Sequence, residues 1–180
     1  MEQPKIISTE EIYRGRIFTV SLATIKDGDL VYQREIVSHP GSAVIVPVFA
    51  DETVALVRQY RHPAQKYLLE LPAGSLSPNE NPEIGARREL EEEIGVTANN
   101  IKHLSSFYVS PGFLGEKMHL FLATNLRETK QNLDDDEVLY IERISLKTIG
   151  DLILNGAIED AKTIIGLTLT LNHFGISLSG

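Results

Sequence analysis

The run from Pro82 to Ile94 constrains this chain more than any other feature, because it reads as one helix with carboxylates along the edge of its buried stripe. Proline at the start costs no hydrogen bond there, and Gly95 follows the end. With Ile84 set at zero and about 100° per residue, Ala86, Leu90 and Ile94 fall near 200°, 240° and 280°. Glu89 and Glu93 fall near 140° and 180°, one turn apart, and Glu92 falls near 80°. Three carboxylates therefore line one side of the helix next to its apolar face. Glu91, near 340°, reads as plain surface.

The segments on either side are β-rich. The first 40 residues read as strands, with Ile17–Lys26 and Leu30–Val37 flanking the short loop Asp27-Gly28-Asp29. Ser42–Phe49, Thr53–Tyr60 and Tyr67–Leu71 precede the helix; Ile101–Val109, Lys117–Ala123 and Val138–Ile144 follow it. Leu146–Asn155 and Asp160–His173 read as helices, although Leu167, Leu169 and Leu171 alternate as they would in a strand. Strands with intervening helices predict an α/β sandwich with a mixed sheet.

Composition narrows the function classes. The formal charge of −8 leaves no broad basic patch for a nucleic-acid backbone. No apolar run approaches the roughly 20 residues of a membrane span, and Met1–Ile12 has no apolar core of a secretory signal, so cytoplasm is the expected compartment. With no cysteine, disulfides and thiolate chemistry are excluded. The acid is clustered at Glu80–Glu93 and Asp134–Glu137, and clustered carboxylates need a neutralising partner such as Mg²⁺, which favours hard oxygen ligands. A solvated acidic face is the ordinary reading of a Glu-rich helix taken alone.

The run does not stand alone. Gly74, Glu80, Arg88-Glu89, Glu92-Glu93 and Gly95, with aliphatic Leu90 and Val96, match the Nudix box G-x5-E-x7-R-E-U-x-E-E-x-G-U at every fixed position. Seven identities at typical usages of about 5–7% put a chance match well below about one in a million. The chain thus resembles the Nudix hydrolases. Val57–Arg61, Leu69–Gly74, Ser110–Phe113 with Pro111, and Ile158–Thr163 resemble the ADP-ribose pyrophosphatase branch in particular, over residues 30 to 172 or so.

That resemblance implies an α/β/α sandwich with an N-terminal antiparallel β extension. Residues 1–40 would form the extension and mediate dimerisation, and 41–180 the hydrolase domain. It implies Mg²⁺, with Mn²⁺ as the alternative, held by Glu89, Glu93, Glu92 and the carbonyl of Ala73. Glu80 and Arg88 would support the site, while Gly74 and Gly95 would allow a tight backbone. Arg61 would meet the substrate phosphates, where a planar fork of donors fits. Glu70 would be a further polar contact near metal or substrate, with a buried structural role as the alternative, and Glu116 would touch sugar or water. Glu137 is the leading general base, with Glu92, Glu93 and Glu116 as alternatives. Arg34 would reach the partner's ligand in a homodimer. With no Trp, base stacking falls to Tyr13, Phe18, Tyr32 or Phe113. The implied reaction is hydrolysis of ADP-ribose to AMP and ribose 5-phosphate. The alternatives are a broader nucleoside diphosphate sugar hydrolase, for example one acting on GDP-mannose, and a non-catalytic binding module.

Overall fold

A computed structural model describes residues 2–133 and 137–178. Asp134–Asp136, part of the expected acidic loop, lie outside the described residues. The elements run β1 (Lys5–Arg14), β2 (Thr19–Asp27), β3 (Leu30–Ser38), β4 (Ser42–Pro47), β5 (Thr53–Arg61), β6 (Lys66–Glu70), β7 (Ala73–Ser75), α1 (Pro82–Glu89), β8 (Val96–Tyr108), β9 (Lys117–Glu128), β10 (Leu139–Ser145), α2 (Leu146–Leu154) and α3 (Ala161–Phe174). A π-helical turn, Leu90–Ile94, continues α1.

The sandwich is built from two sheets, β10-β5-β6 and β7-β4-β9-β8, the latter mixed because β4 and β9 run parallel. Strand alternation divides the core. Val44 and Val46 of β4, Val54 and Leu56 of β5, and Leu120 and Leu122 of β9 face one cluster, shared with Leu146, Ile149, Leu167 and Leu171 of α2 and α3. Ala43, Ile45, Ala55, Val57, Phe121 and Ala123 face the other, shared with Ala86, Leu90 and Ile94. Both faces are covered by helix, which is why β4 reads as a continuous apolar run. This is the α/β/α arrangement expected from the sequence.

Helix α3 resolves the ambiguity of its alternating leucines. Asp160 caps it by accepting from the Thr163 N–H at 3.0 Å, and Gly175 closes it in the left-handed region at φ 68°. Leu167 and Leu171, four apart, are buried as a helix requires. Gly166 lets the helix lie close on the sheet: a Cβ there would stand 3.1 Å from Leu120 Cδ1 and closer still to Leu71.

Several element boundaries differ from expectation, among them β9, which runs on from Ala123 to Glu128. The strand expected from Ile17 begins at Thr19, because Gly15 donates its N–H to the Phe18 carbonyl at 2.9 Å in a turn. The strand expected from Ile101 starts at Val96, directly after Gly95, and pairs with β9 along its whole length. The helix expected through Ile94 is α-helical only to Glu89.

Strands β1-β2-β3 form a separate antiparallel sheet. It is tied to the sandwich where β3 bridges Leu114, with Val37 N–H on the Phe113 carbonyl and Gly115 N–H on the Val37 carbonyl, both 2.8 Å.

Candidate metal and diphosphate site

Local chemistry sets the box helix in place. Asn81 Oδ1 accepts the Glu83 N–H at 2.8 Å and Pro82 opens the first turn. Gly95, at φ 71°, ends the π turn, as a residue without Cβ can. The segment after β9 then folds back onto that end: Thr129 N–H bonds the Gly95 carbonyl, Asn132 N–H the Glu92 carbonyl, and Gln131 Nε2 the Glu93 carbonyl. These contacts lead the chain back to the box before Glu137.

On the other side, β7 pairs with β4 so that Ala73 and Gly74 lie under the helix. The Glu89 carboxylate occupies the space over Gly74; a Cβ there would lie within 2.5 Å of both carboxylate oxygens. Gly74 is therefore required for space, not for the tight backbone turn expected of it, and it is not among the residues at positive φ.

Arg88 is the hub of the acidic helix. Its Nη1 donates to Glu89 at 2.6 Å and to Glu92 at 2.8 Å, and its Nε to Glu80 at 3.2 Å. Its own pKa is pushed further up, and Glu80 is held below the ordinary carboxylate range by Arg88 and the Ser77 N–H. Burial pushes Glu89 up to about 7, against the pull of Arg88 and with the help of Glu92 and Glu137. Burial pushes Glu93 up to about 8, helped by Glu89 and Glu137 and opposed by the Ala73 backbone and Arg61. Glu93 is 5% exposed, and its buried Oε2 has no hydrogen-bond partner among the described residues.

An orphaned carboxylate oxygen among repelling carboxylates is costly unless a cation completes it. The donor set, hard oxygens on Glu89, Glu92 and Glu93, fits a divalent metal. Among the described residues no three acidic or imidazole side chains are gathered tightly enough to ligate one ion as they stand. Arg88 takes one oxygen each of Glu89 and Glu92, Oε1 and Oε2 respectively, and leaves the second oxygen of each carboxylate out of these bonds.

A cavity of about 630 Å³ opens over the box, lined by Gly74, Arg88, Glu89, Glu92 and Glu137 together with the Arg14–Phe18 turn and His39. That volume suits a small-molecule ligand. A larger cavity of about 760 Å³ lies beside Val48, Phe49, Leu126 and Phe174. Its one carboxylate is Glu52 and it contains no box residue, so the chemistry assigns the smaller cavity.

The remaining candidates fall in three places. Arg61 donates from Nε and Nη2 to Glu70 at 2.7 and 2.8 Å, and Lys162 also bonds Glu70, which is 1% exposed. Glu70 is therefore the buried centre of an ion cluster, held below the ordinary range by Arg61 and Lys162 against its burial. Glu116 accepts from Ser42 Oγ at 2.6 Å and stands 3.9 Å from His39 Nδ1. Arg34, stacked on Tyr32 at 4.4 Å, and Phe113 line a separate groove with Tyr108, away from the box cavity. His39, Arg14 and Arg16 belong to no spacing pattern and are brought in by chain folding; Lys162 lies in the Ile158–Thr163 segment, but its contact with Glu70 is likewise made only by chain folding.

A helix of paired carboxylates with an orphaned buried oxygen, roofed by a cavity and flanked by arginines, defines a class: metal-assisted hydrolases of phosphate anhydrides. The NUDIX domain pattern matches residues 39–166, and the chain belongs to that family as a Nudix pyrophosphohydrolase acting on nucleoside diphosphates. It is 36% identical over 164 residues to an ADP-ribose pyrophosphatase of Bacillus subtilis (strain 168), covering 89% of each chain. It is 35% identical over 168 residues to a methanol dehydrogenase activator of Bacillus methanolicus, covering 92% of this chain and 91% of that protein. A crystal structure of an ADP compounds hydrolase superposes with a TM-score of 0.85 at 26% identity, over 98% of both chains.

Proposed function

We propose that this protein hydrolyses ADP-ribose to AMP and ribose 5-phosphate with Mg²⁺, as a cytoplasmic homodimer. The observation that carries the reading is Glu93, a buried carboxylate beside Glu89 and Glu137 with an oxygen that has no partner among the described residues. The similarity to an ADP-ribose pyrophosphatase over most of both chains supports the substrate.

In this reading Glu89, Glu92, Glu93 and the Ala73 carbonyl hold the cations. When bound, these offset the charge of the diphosphate and lower the pKa of water. Arg61 binds a phosphate with the donors that Glu70 leaves unused. Glu137, which lines the cavity, takes the proton from the attacking water. Water adds to one phosphorus, the bridging P–O bond breaks, and the other phosphate leaves with the bridging oxygen. Arg88 holds Glu89 and Glu92 in place at the site. Dimerisation is supported by β1, which is exposed along its whole length, with Ile6, Ile7, Ile12 and Tyr13 each more than half exposed. Arg34 and Phe113 would then serve the partner's site.

A panel of ADP-ribose, GDP-mannose and other sugar nucleotides with Mg²⁺, ranked by kcat/KM, tests the assignment. ADP-ribose is expected to lead, and Glu93→Gln to abolish turnover. A preference above about tenfold for a GDP-sugar would replace the substrate.

A further inference from the structure

The segment Asp160–Thr163 opens α3, and none of its residues lines the box cavity. Its side chains nevertheless run in an unbroken series to Arg61. Thr163 Oγ1 accepts the Leu71 N–H at 2.7 Å and donates to Asp160 at 2.6 Å. Asp160 accepts from Lys162 Nζ at 3.1 Å, and Lys162 donates again to Glu70 Oε2. Glu70 in turn grips the Nε–Nη2 edge of Arg61.

Two cations and two anions cancel in this cluster, and its centre is dry: the Lys162 side chain is 8% exposed and that of Glu70 2%. The Arg61 side chain is 41% exposed, and its Nη1 makes none of the hydrogen bonds to Glu70. Its guanidinium lies close enough to Glu93 to feel that charge. Glu70 Oε2 now receives two donors, one from Lys162 and one from Arg61. Without Lys162, a buried carboxylate oxygen would lose a charged donor, and the neighbour able to replace it is Arg61 itself. The guanidinium would turn inward and withdraw its open edge.

We propose that Lys162 is a positioning residue for diphosphate binding: through Glu70 it holds the free edge of Arg61 toward the substrate. This rests on the proposed function for the role of Arg61. The test is the pair Lys162→Met and Lys162→Arg, with KM and kcat for ADP-ribose and the Kd of its non-hydrolysable α,β-methylene analogue, both with Mg²⁺. Lys162→Met is expected to raise KM and Kd about tenfold with kcat within about threefold, and Lys162→Arg to recover most of the binding. In an Arg61→Ala background, Lys162→Met is expected to add less than about twofold, because its effect passes through the guanidinium. A merely structural lysine would move the melting temperature and leave KM and Kd in place.

Folded Lys162→Met with KM and Kd within about twofold of wild type overturns the proposal, as does a full effect that persists without Arg61. If Lys162→Met does not fold, Lys162→Gln, which is shorter and uncharged, carries the same cycle: KM and Kd are expected to rise in the Arg61 protein and not in Arg61→Ala, and values within about twofold of wild type overturn the proposal. If wild-type protein does not turn over ADP-ribose, the substrate assignment fails, and the Lys162–Arg61 coupling is read with the sugar nucleotide that leads the panel.

Discussion

Replacing Gly74 by alanine places one methyl group where the Glu89 carboxylate now lies. The added Cβ would be within 2.5 Å of both carboxylate oxygens, whereas ordinary contact begins at 3.4 Å. Glu89 must therefore retreat by about 1 Å or more. It has little room to do so: it is 6% exposed, and Arg88 holds it at 2.6 Å. Overpacking of this kind costs about 1–3 kcal/mol of stability. The larger effect falls on activity, because a displacement of about 1 Å in a catalytic constellation costs on the order of 100-fold, or about 2.7 kcal/mol of barrier. Urea unfolding gives the first quantity and kcat/KM the second. In a Glu89→Ala background, where the obstructing carboxylate is gone, Gly74→Ala should cost less than about 0.5 kcal/mol. A Gly74→Ala enzyme with wild-type kcat/KM would refute the reasoning, as would a stability loss that is unchanged when Glu89 is removed.

The raised pKa values of Glu89 and Glu93 set the pH dependence of the metal-free protein. Their folded values, about 7 and about 8, stand above the ordinary 4.5, so the folded state binds protons more tightly than the unfolded chain. That contribution is complete below about pH 4.5 and is lost as pH rises through 7 and 8. The melting temperature in EDTA should therefore fall between pH 5 and 9, on the order of 5–10 °C, and Mg²⁺ should restore it at the alkaline end. Glu93→Gln should flatten the EDTA profile; an unchanged slope in that variant would show that Glu93 is not the group responsible. Light scattering should give about twice the 20.0 kDa protomer mass, and Ile12→Glu, on the exposed β1, should shift the protein toward protomers. A wild-type protomer at micromolar concentration would remove the dimer from the proposal.

The sequence by itself determined the carboxylate helix, its buried stripe and the family, because these are properties of spacing along one short continuous segment, Gly74 to Val96. A period near 3.6 residues sets Ala86 and Leu90 on the buried stripe with Glu89 beside it; the π turn then carries Ile94 and Glu93 into the interior as well. The β-rich runs around it were equally legible, since both faces of β4 are buried and such strands read as continuous apolar sequence. Only the tertiary structure decided the rest. Gly74 looks like a turn glycine until Glu89 is seen over it, and the segment beyond β9 reaches back to bond the Glu92 and Glu93 carbonyls of the π turn. Lys162 reaches Glu70 across 92 positions in the chain. Neither local propensity nor motif spacing encodes a contact between residues so far apart; burial and the closure of the sandwich create it, and with it the setting of Arg61 beside the box.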